Sequence, residues 1–166
     1  YAHLVQKIWL FGFNGKTIQS NTYSENYASR NFELKGYQLA PKVSYLFSKN
    51  ASWDVFYEYQ LKENKISDFE TLNQQRIGTS FSYASDKRFT INGELSYYQN
   101  KFTGNELSPV AYQMLEGLQA GENLTWRLLL QKNLTQYLDV NLNYQGRKSE
   151  TSQTIHTGNI QLRAYF

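Results

Sequence analysis

The chain has 166 residues, enough for one domain with a sizeable core and too few for two. Aromatic residues make up 16% and argue against disorder, while a mean hydropathy of −0.63, with no apolar run near ~20 residues, excludes a helical membrane span. Zero cysteines exclude a disulfide framework, thiolate metal clusters and a cysteine nucleophile, and a net charge of +3 without a clustered basic patch points to no nucleic-acid partner.

The dominant hydrophobic period is two, the period of a strand. Residues 4–13 are apolar on both faces, so their phase stays open. Leu39, Val43, Tyr45 and Phe47 then alternate with Gln38, Lys42 and Ser44. Pro41 inside this run lacks a ladder donor and marks a bulge or a weakly paired point. Trp53, Val55, Tyr57, Tyr59 and Leu61 alternate with Asp54, Glu58, Gln60 and Lys62, with Phe56 intruding. Ile77, Phe81 and Tyr83 alternate with Arg76, Ser80 and Ser82, and Phe89, Ile91, Leu95 and Tyr97 with Thr90, Asn92, Glu94 and Ser96. Leu124, Trp126, Leu128 and Leu130 alternate with Asn123, Thr125, Arg127 and Gln131, with Leu129 as an exception. Leu138, Val140, Leu142 and Tyr144 alternate with Asp139, Asn141, Asn143 and Gln145. In the last segment His156, Gly158, Ile160, Leu162, Ala164 and Phe166 alternate with Thr157, Asn159, Gln161, Arg163 and Tyr165. This predicts seven strands, with residues 4–13 as an eighth.

The connections alternate as well. Short turns fall at residues 48–52, 85–88 and 133–137, and long loops at 14–31, 63–72, 100–122 and 147–153. Such lengths fit an up-and-down meander, and closing it into a barrel pairs every edge. Alternation alone leaves open which face is inside. Three features place the apolar set outward. Aromatic residues flank the short turns (Phe47, Trp53, Tyr83, Phe89, Tyr137, Phe166) and the long-loop ends (Tyr59, Tyr97, Trp126, Tyr144), as in the two girdles of a barrel that crosses a bilayer. The polar set is rich in Asn, Gln, Ser and Thr, where a solvated surface would be richer in Lys and Glu. Strand lengths cluster near the ~9–11 residues that span a bilayer when tilted. The expected fold is all-β: a transmembrane antiparallel up-and-down β-barrel of about eight strands, one domain over residues 1–166, with a short helix in one long outer loop.

The polar set then lines the interior, where buried charges need partners of opposite sign. Asp139 and Arg163 fall near the short-turn end of adjacent strands. Glu58 lies between strands carrying Lys42 and Arg76, Glu94 between strands carrying Arg76 and Arg127, and Asp54 shares the inward phase of Glu58. A packed, paired interior without an open channel is the expectation, since about eight strands leave room only for side chains.

In the loop at residues 100–122, Ser108 and Pro109 read as N-cap and N1 of a short helix, with Gly117 as its C′ stop. Val110, Ala111, Met114, Leu115 and Leu118 would form one apolar face at helical spacing. That face docks a partner or a lid over the barrel mouth, or else folds onto the barrel's own rim.

Catalytic signals are weak. His156 would need Ser149 or Ser152 beside it to act as in an outer-membrane phospholipase, and no third group is fixed by spacing. His3 lies near the start, and the long loops hold one Asp, Asp68. There is no metal-ligand spacing, Gly-rich phosphate loop or nucleophile elbow, so no cofactor is expected. The sequons at Asn123 and Asn133 read as strand and turn residues, and Lys87 and Arg88 as a solvated turn tip.

The ending Ile160-Gln161-Leu162-Arg163-Ala164-Tyr165-Phe166 resembles the terminal strand of bacterial outer-membrane barrels, although Gln161 stands where the common pattern has Gly. In that family this strand is a signal read by the barrel-assembly machinery. Residues 107–118, with the three strands that follow, are similar to the C-terminal ends of large Bacteroidota-type surface proteins. The resemblance implies the membrane-embedded part of a longer chain in the bacterial outer membrane, with periplasmic short turns and extracellular long loops. It implies contact with outer-membrane lipid, including lipopolysaccharide, and a protein partner in a larger complex. The expected role is a non-enzymatic anchor or accessory subunit in secretion, nutrient uptake or barrel assembly. A lipid- or peptide-processing barrel enzyme and a soluble ligand-binding barrel are the alternatives.

Overall fold

The computed structural model describes residues 2–5, 8–66, 70–85 and 89–165, with backbone alone at 2–5 and 28. The alternating segments form one antiparallel sheet in strand order: β1 (Ala2–Val5), β2 (Trp9–Thr22), β3 (Phe32–Ser48), β4 (Ala51–Asn64), β5 (Thr71–Ser85), β6 (Phe89–Thr103), β7 (Gly121–Thr135), β8 (Leu138–Ser149) and β9 (Ile155–Ala164). One helix, α1 (Pro109–Met114), interrupts it between β6 and β7. The up-and-down order follows from the connections. Lys49 and Asn50 alone join β3 to β4, and Gln136 and Tyr137 join β7 to β8. Both turns are locked by a hydroxyl from the preceding strand: Ser48 Oγ accepts from the Asn50 N–H and Thr135 Oγ1 from the Tyr137 N–H.

Two expectations change. Residues 4–13 are not one strand; β1 ends at Val5 and β2 starts at Trp9, with Trp9 and Phe11 exposed. Moreover, β2 runs on to Thr22, through residues assigned to a loop. Its upper half is polar, but its partners on β3, from Leu39 to Phe32, extend the ladder. The second change is closure. Among the described residues β9 pairs only with β8 and β1 only with β2, so the sheet is open. Nine antiparallel strands leave β1 and β9 running in the same direction, and joining these two edges would demand a parallel pair in an antiparallel ladder.

Pro41 acts as its ring requires. The β3–β4 ladder breaks between Leu39 and Lys42 without shifting register, so Pro41 is a weakly paired point, and the bulge lies lower, between Leu46 and Ser48.

The sheet curls. Arg76 lines both a hollow over β2–β5 and another, of about 540 Å³, over β5–β9. The polar phase and α1 occupy this concave side. The convex side carries the apolar phase: Phe11, Leu39, Val55, Ile77, Phe81, Leu95, Leu128, Ile160 and Leu162 are all exposed. The apolar set therefore lies on the face turned away from the hollows.

Candidate functional site: the concave face and its loop plug

The concave face holds a charge ladder across four neighbouring strands. Arg76 on β5 lies 2.6 Å from Glu94 on β6 and 3.9 Å from Glu58 on β4, and Glu94 reaches Arg127 on β7 at 3.5 Å. Register makes this possible: Glu58 is the cross-strand partner of Arg76, and Glu94 that of Arg127. The Arg76 guanidinium carbon lies over both the Phe56 ring (4.8 Å to its centre) and the Tyr98 ring (5.2 Å), so the cation meets aromatic surface as well as carboxylates. Phe56, which broke the apolar alternation, has this inward task. Gly78 makes room for it, since a Cβ there would lie 2.4 Å from Phe56 Cζ.

The remaining predicted charges pair differently. Lys42 bonds Asp54 at 3.3 Å, not Glu58. Asp139 and Arg163 are register partners, yet Asp139 accepts from the Tyr165 hydroxyl at 3.2 Å and Arg163 donates to Gln161 at 3.4 Å. Cross-strand register brings their backbones together, but on the exposed edge strand the long side chains find other groups.

Above this ladder the loop after β6 turns inward and plugs the concave side of the sheet. Ser108 is the N-cap of α1, accepting from the Ala111 N–H at 2.9 Å and donating to Glu70 at 3.1 Å, with Pro109 at the first helical position. The stop differs from the expectation by one residue. Glu116 takes the left-handed conformation at φ +55°, with Gly117 at +78° following it and donating back to the Tyr112 carbonyl. Val110, Ala111, Met114 and Leu115 are buried against Leu34 and Leu72, with Phe32 and Phe102 packed around them, and Leu118 is half-buried. This apolar face is thus covered by the chain's own sheet.

Polar residues that composition did not single out hold the plug. Lys62, only 5% exposed, donates to the Met114 carbonyl at 3.0 Å and to Glu116 at 2.6 Å. Asn64 donates to Glu70 at 2.7 Å. Asn123 and Asn100 both donate to the Gln119 carbonyl, Ser149 donates to Asn123 at 2.6 Å, and Arg147 donates to the Gly117 carbonyl at 2.8 Å. A signal for them existed: Gln60, Lys62 and Asn64 continue the inward phase of β4 toward the long-loop end, where an inward-turned loop needs donors.

The girdle residues lie on the convex face. Trp53 and Phe47 are exposed beside the first short turn, where Tyr45 makes edge contacts with Trp9 (4.8 Å) and Phe47 (4.7 Å). Tyr83 and Phe89 flank the second turn, 6.4 Å apart, and Tyr137 sits within the third. Toward the long loops, Tyr59 lies 6.1 Å from Tyr37, Tyr97 is exposed, and Trp126 and Tyr144 both contact His156. Trp126 covers Gly146, where a Cβ would fall 2.3 Å from the indole. Phe166 lies outside the described residues, as do Asp68, Lys87, Arg88 and the side chain of His3.

His156 lies on the opposite face of the sheet from Ser149. Its ring stacks on Tyr144 on the convex side, with Nδ1 2.8 Å from the tyrosine hydroxyl, whereas Ser149 points to the concave side toward Asn123. A sheet stands between them, so this pair cannot pass a proton. Among the described residues no group of His, Asp and Glu is arranged to hold a metal ion. A scan against models of known protein families and a search of curated proteins each find no match for this chain.

Proposed function

We propose that this chain is a bacterial outer-membrane β-barrel that serves as a membrane anchor or accessory subunit of an outer-membrane complex, without catalysis of its own. The observation that carries this reading is the reversal of faces: an exposed apolar convex side bounded by aromatic residues, over a concave side of paired charges. A water-soluble protein rarely leaves so extended an apolar surface uncovered. On β3 the band runs from Tyr37 to Phe47, both exposed. At a strand tilt of ~40° this stretch rises ~25 Å, the height of the apolar belt of an outer-membrane barrel. Above it, charge pairs such as Lys35 with Glu33 and Lys65 with Glu63 suit the headgroup region at the long-loop end. The loop turned inward over the concave side supports an anchor over a pore.

The test is reconstitution. The refolded chain should enter phosphatidylethanolamine–phosphatidylglycerol vesicles, resist alkaline extraction and run with heat-modifiable mobility, and it should give no large single-channel conductance. A monodisperse protein in detergent-free buffer that does not bind vesicles would refute the membrane reading, and a large conductance would refute the plugged interior.

A further inference from the structure

Both long edges of the sheet are incomplete, and their geometries match. On β9, Tyr165 donates to Tyr137 beside β8, so the odd residues bond toward β8 and the N–H and C=O groups of His156, Gly158, Ile160 and Leu162 face away from it. These residues have no ladder partner on that side among the described residues, and Ile160 and Leu162 are 68% and 65% exposed. On β2, the Ile8 carbonyl just before the strand accepts from Leu46, so even residues bond toward β3 and Gly15, Thr17, Gln19 and Asn21 face outward along the edge. Here too no ladder partner exists among the described residues.

We infer that in the membrane β9 zips onto β2, with Ile155 opposite Thr22 and Arg163 opposite Asn14, to close an eight-stranded barrel of β2–β9. This deepens the membrane reading above and rests on it. Direction, offset, handedness, length and faces agree on this register. The two strands run antiparallel, because β9 descends from the long-loop end and β2 climbs toward it. Following cross-strand partners from Gly12 through Lys42, Phe56, Gly78, Ser96, Thr125 and Arg147 reaches Ile155. Setting Ile155 against Thr22 therefore offsets the row by ten residues. For eight strands that offset gives a tilt of ~41°, central to the ~35–45° of closed barrels, whereas offsets of eight and twelve give ~35° and ~46°. An odd offset would exchange the two faces.

The sign of the offset follows from handedness. Asn64, on the concave side of the climbing β4, donates to the Glu70 carbonyl before β5. For L-residues this puts β5 to the left of β4, viewed from outside with the long loops uppermost. The right-handed tilt of barrel strands then lifts each row as it passes leftward, so the row from Gly12 must return to β2 nearer its C-terminal end, at Thr22. Length agrees as well: β1 meets β2 over Trp9–Gly12, below the stretch that the seam uses, so β1 and β9 can lie end to end along one edge. Faces agree too. Thr157 would meet Ser20 and Gln161 would meet Lys16 on the polar side, while Ile160 would meet Thr17 on the lipid side. In hydrocarbon, edge N–H and C=O groups without partners are costly, and the seam satisfies those of both strands at once.

The chain contains no cysteine, so introduced pairs report without background. Asn159→Cys with Ile18→Cys places a pair at a non-hydrogen-bonded position of this register, and Asn159→Cys with Lys16→Cys reports the offset of eight. Each is oxidised in phosphatidylethanolamine–phosphatidylglycerol vesicles, with alkaline extraction of the same sample as the measure of insertion. The inference expects a fast, intramolecular cross-link for the first pair and at least tenfold slower linking for the second. Equal rates, an intermolecular dimer of two copies, or no cross-link in inserted protein would each overturn the seam while leaving the membrane reading intact; the last outcome would assign the edge to another strand. Failure to insert would overturn both.

Discussion

Lys62 anchors the loop plug, and its removal separates two ways of holding it. The ammonium is almost fully buried and makes two bonds of unlike value: one to the buried Met114 carbonyl, one to Glu116, whose side chain is 63% exposed. In Lys62→Met the apolar stem is retained, but the Met114 carbonyl loses a charged donor where water does not replace it. A hydrogen bond to a charged group contributes about 1.5–3 kcal/mol, and an unsatisfied buried carbonyl costs a similar amount, so the loss should be about 2–3 kcal/mol. Glu116 returns to water, and Glu116→Gln should cost about 0.5 kcal/mol or less, since exposed ion pairs are weak. Hydrogen–deuterium exchange of the amides at residues 111–117, in protein reconstituted in vesicles, reads both variants. Lys62→Met should accelerate exchange about 30- to 150-fold, and Glu116→Gln about twofold. Strand amides of β5 and β6 should keep their protection, because plug and sheet would open as separate units. Equal acceleration by the two variants would refute the assignment to the carbonyl, and loss of protection throughout the sheet would refute the plug as a local unit.

Two further outcomes test the concave and convex faces. Arg76→Met strands Glu58 and Glu94 against each other and should cost about 3–5 kcal/mol in denaturant unfolding from vesicles, with a second change, Glu94→Leu, restoring part of the loss through a coupling of about 1–3 kcal/mol; additive effects would show that the ladder is not a unit. Leu95→Arg places a charge at the centre of the convex band and should destabilise the inserted protein by about 2–4 kcal/mol, while Lys101→Arg, nearer the long loops, should change it by less than about 0.5 kcal/mol; a harmless Leu95→Arg would remove the band from lipid.

By itself the sequence determined the strand phases. Because side chains on a strand alternate strictly, the apolar run of Trp53, Val55 and Tyr57 and the polar run of Asp54, Glu58 and Gln60 had to lie on opposite faces, and the Glu94–Arg127 pairing followed once the turns set direction. The N-cap of α1 was legible for the same local reason: a Ser-Pro pair ahead of an apolar helical face. The upper half of β2 was not legible, since its polar residues carry no alternation and only the ladder to β3 makes them a strand. Nor could spacing show that α1 turns its apolar face onto Leu34 and Leu72, because helical periodicity says that a face will be buried and not against what. Lys62 illustrates the difference: its phase on β4 was local information, but its two bonds depend on a loop that returns from residues 114–116. Closure is the clearest case. Alternation is a property of each strand, whereas the offset at which an edge can meet another accumulates over every pairing from β2 to β9, and only the assembled register discloses it.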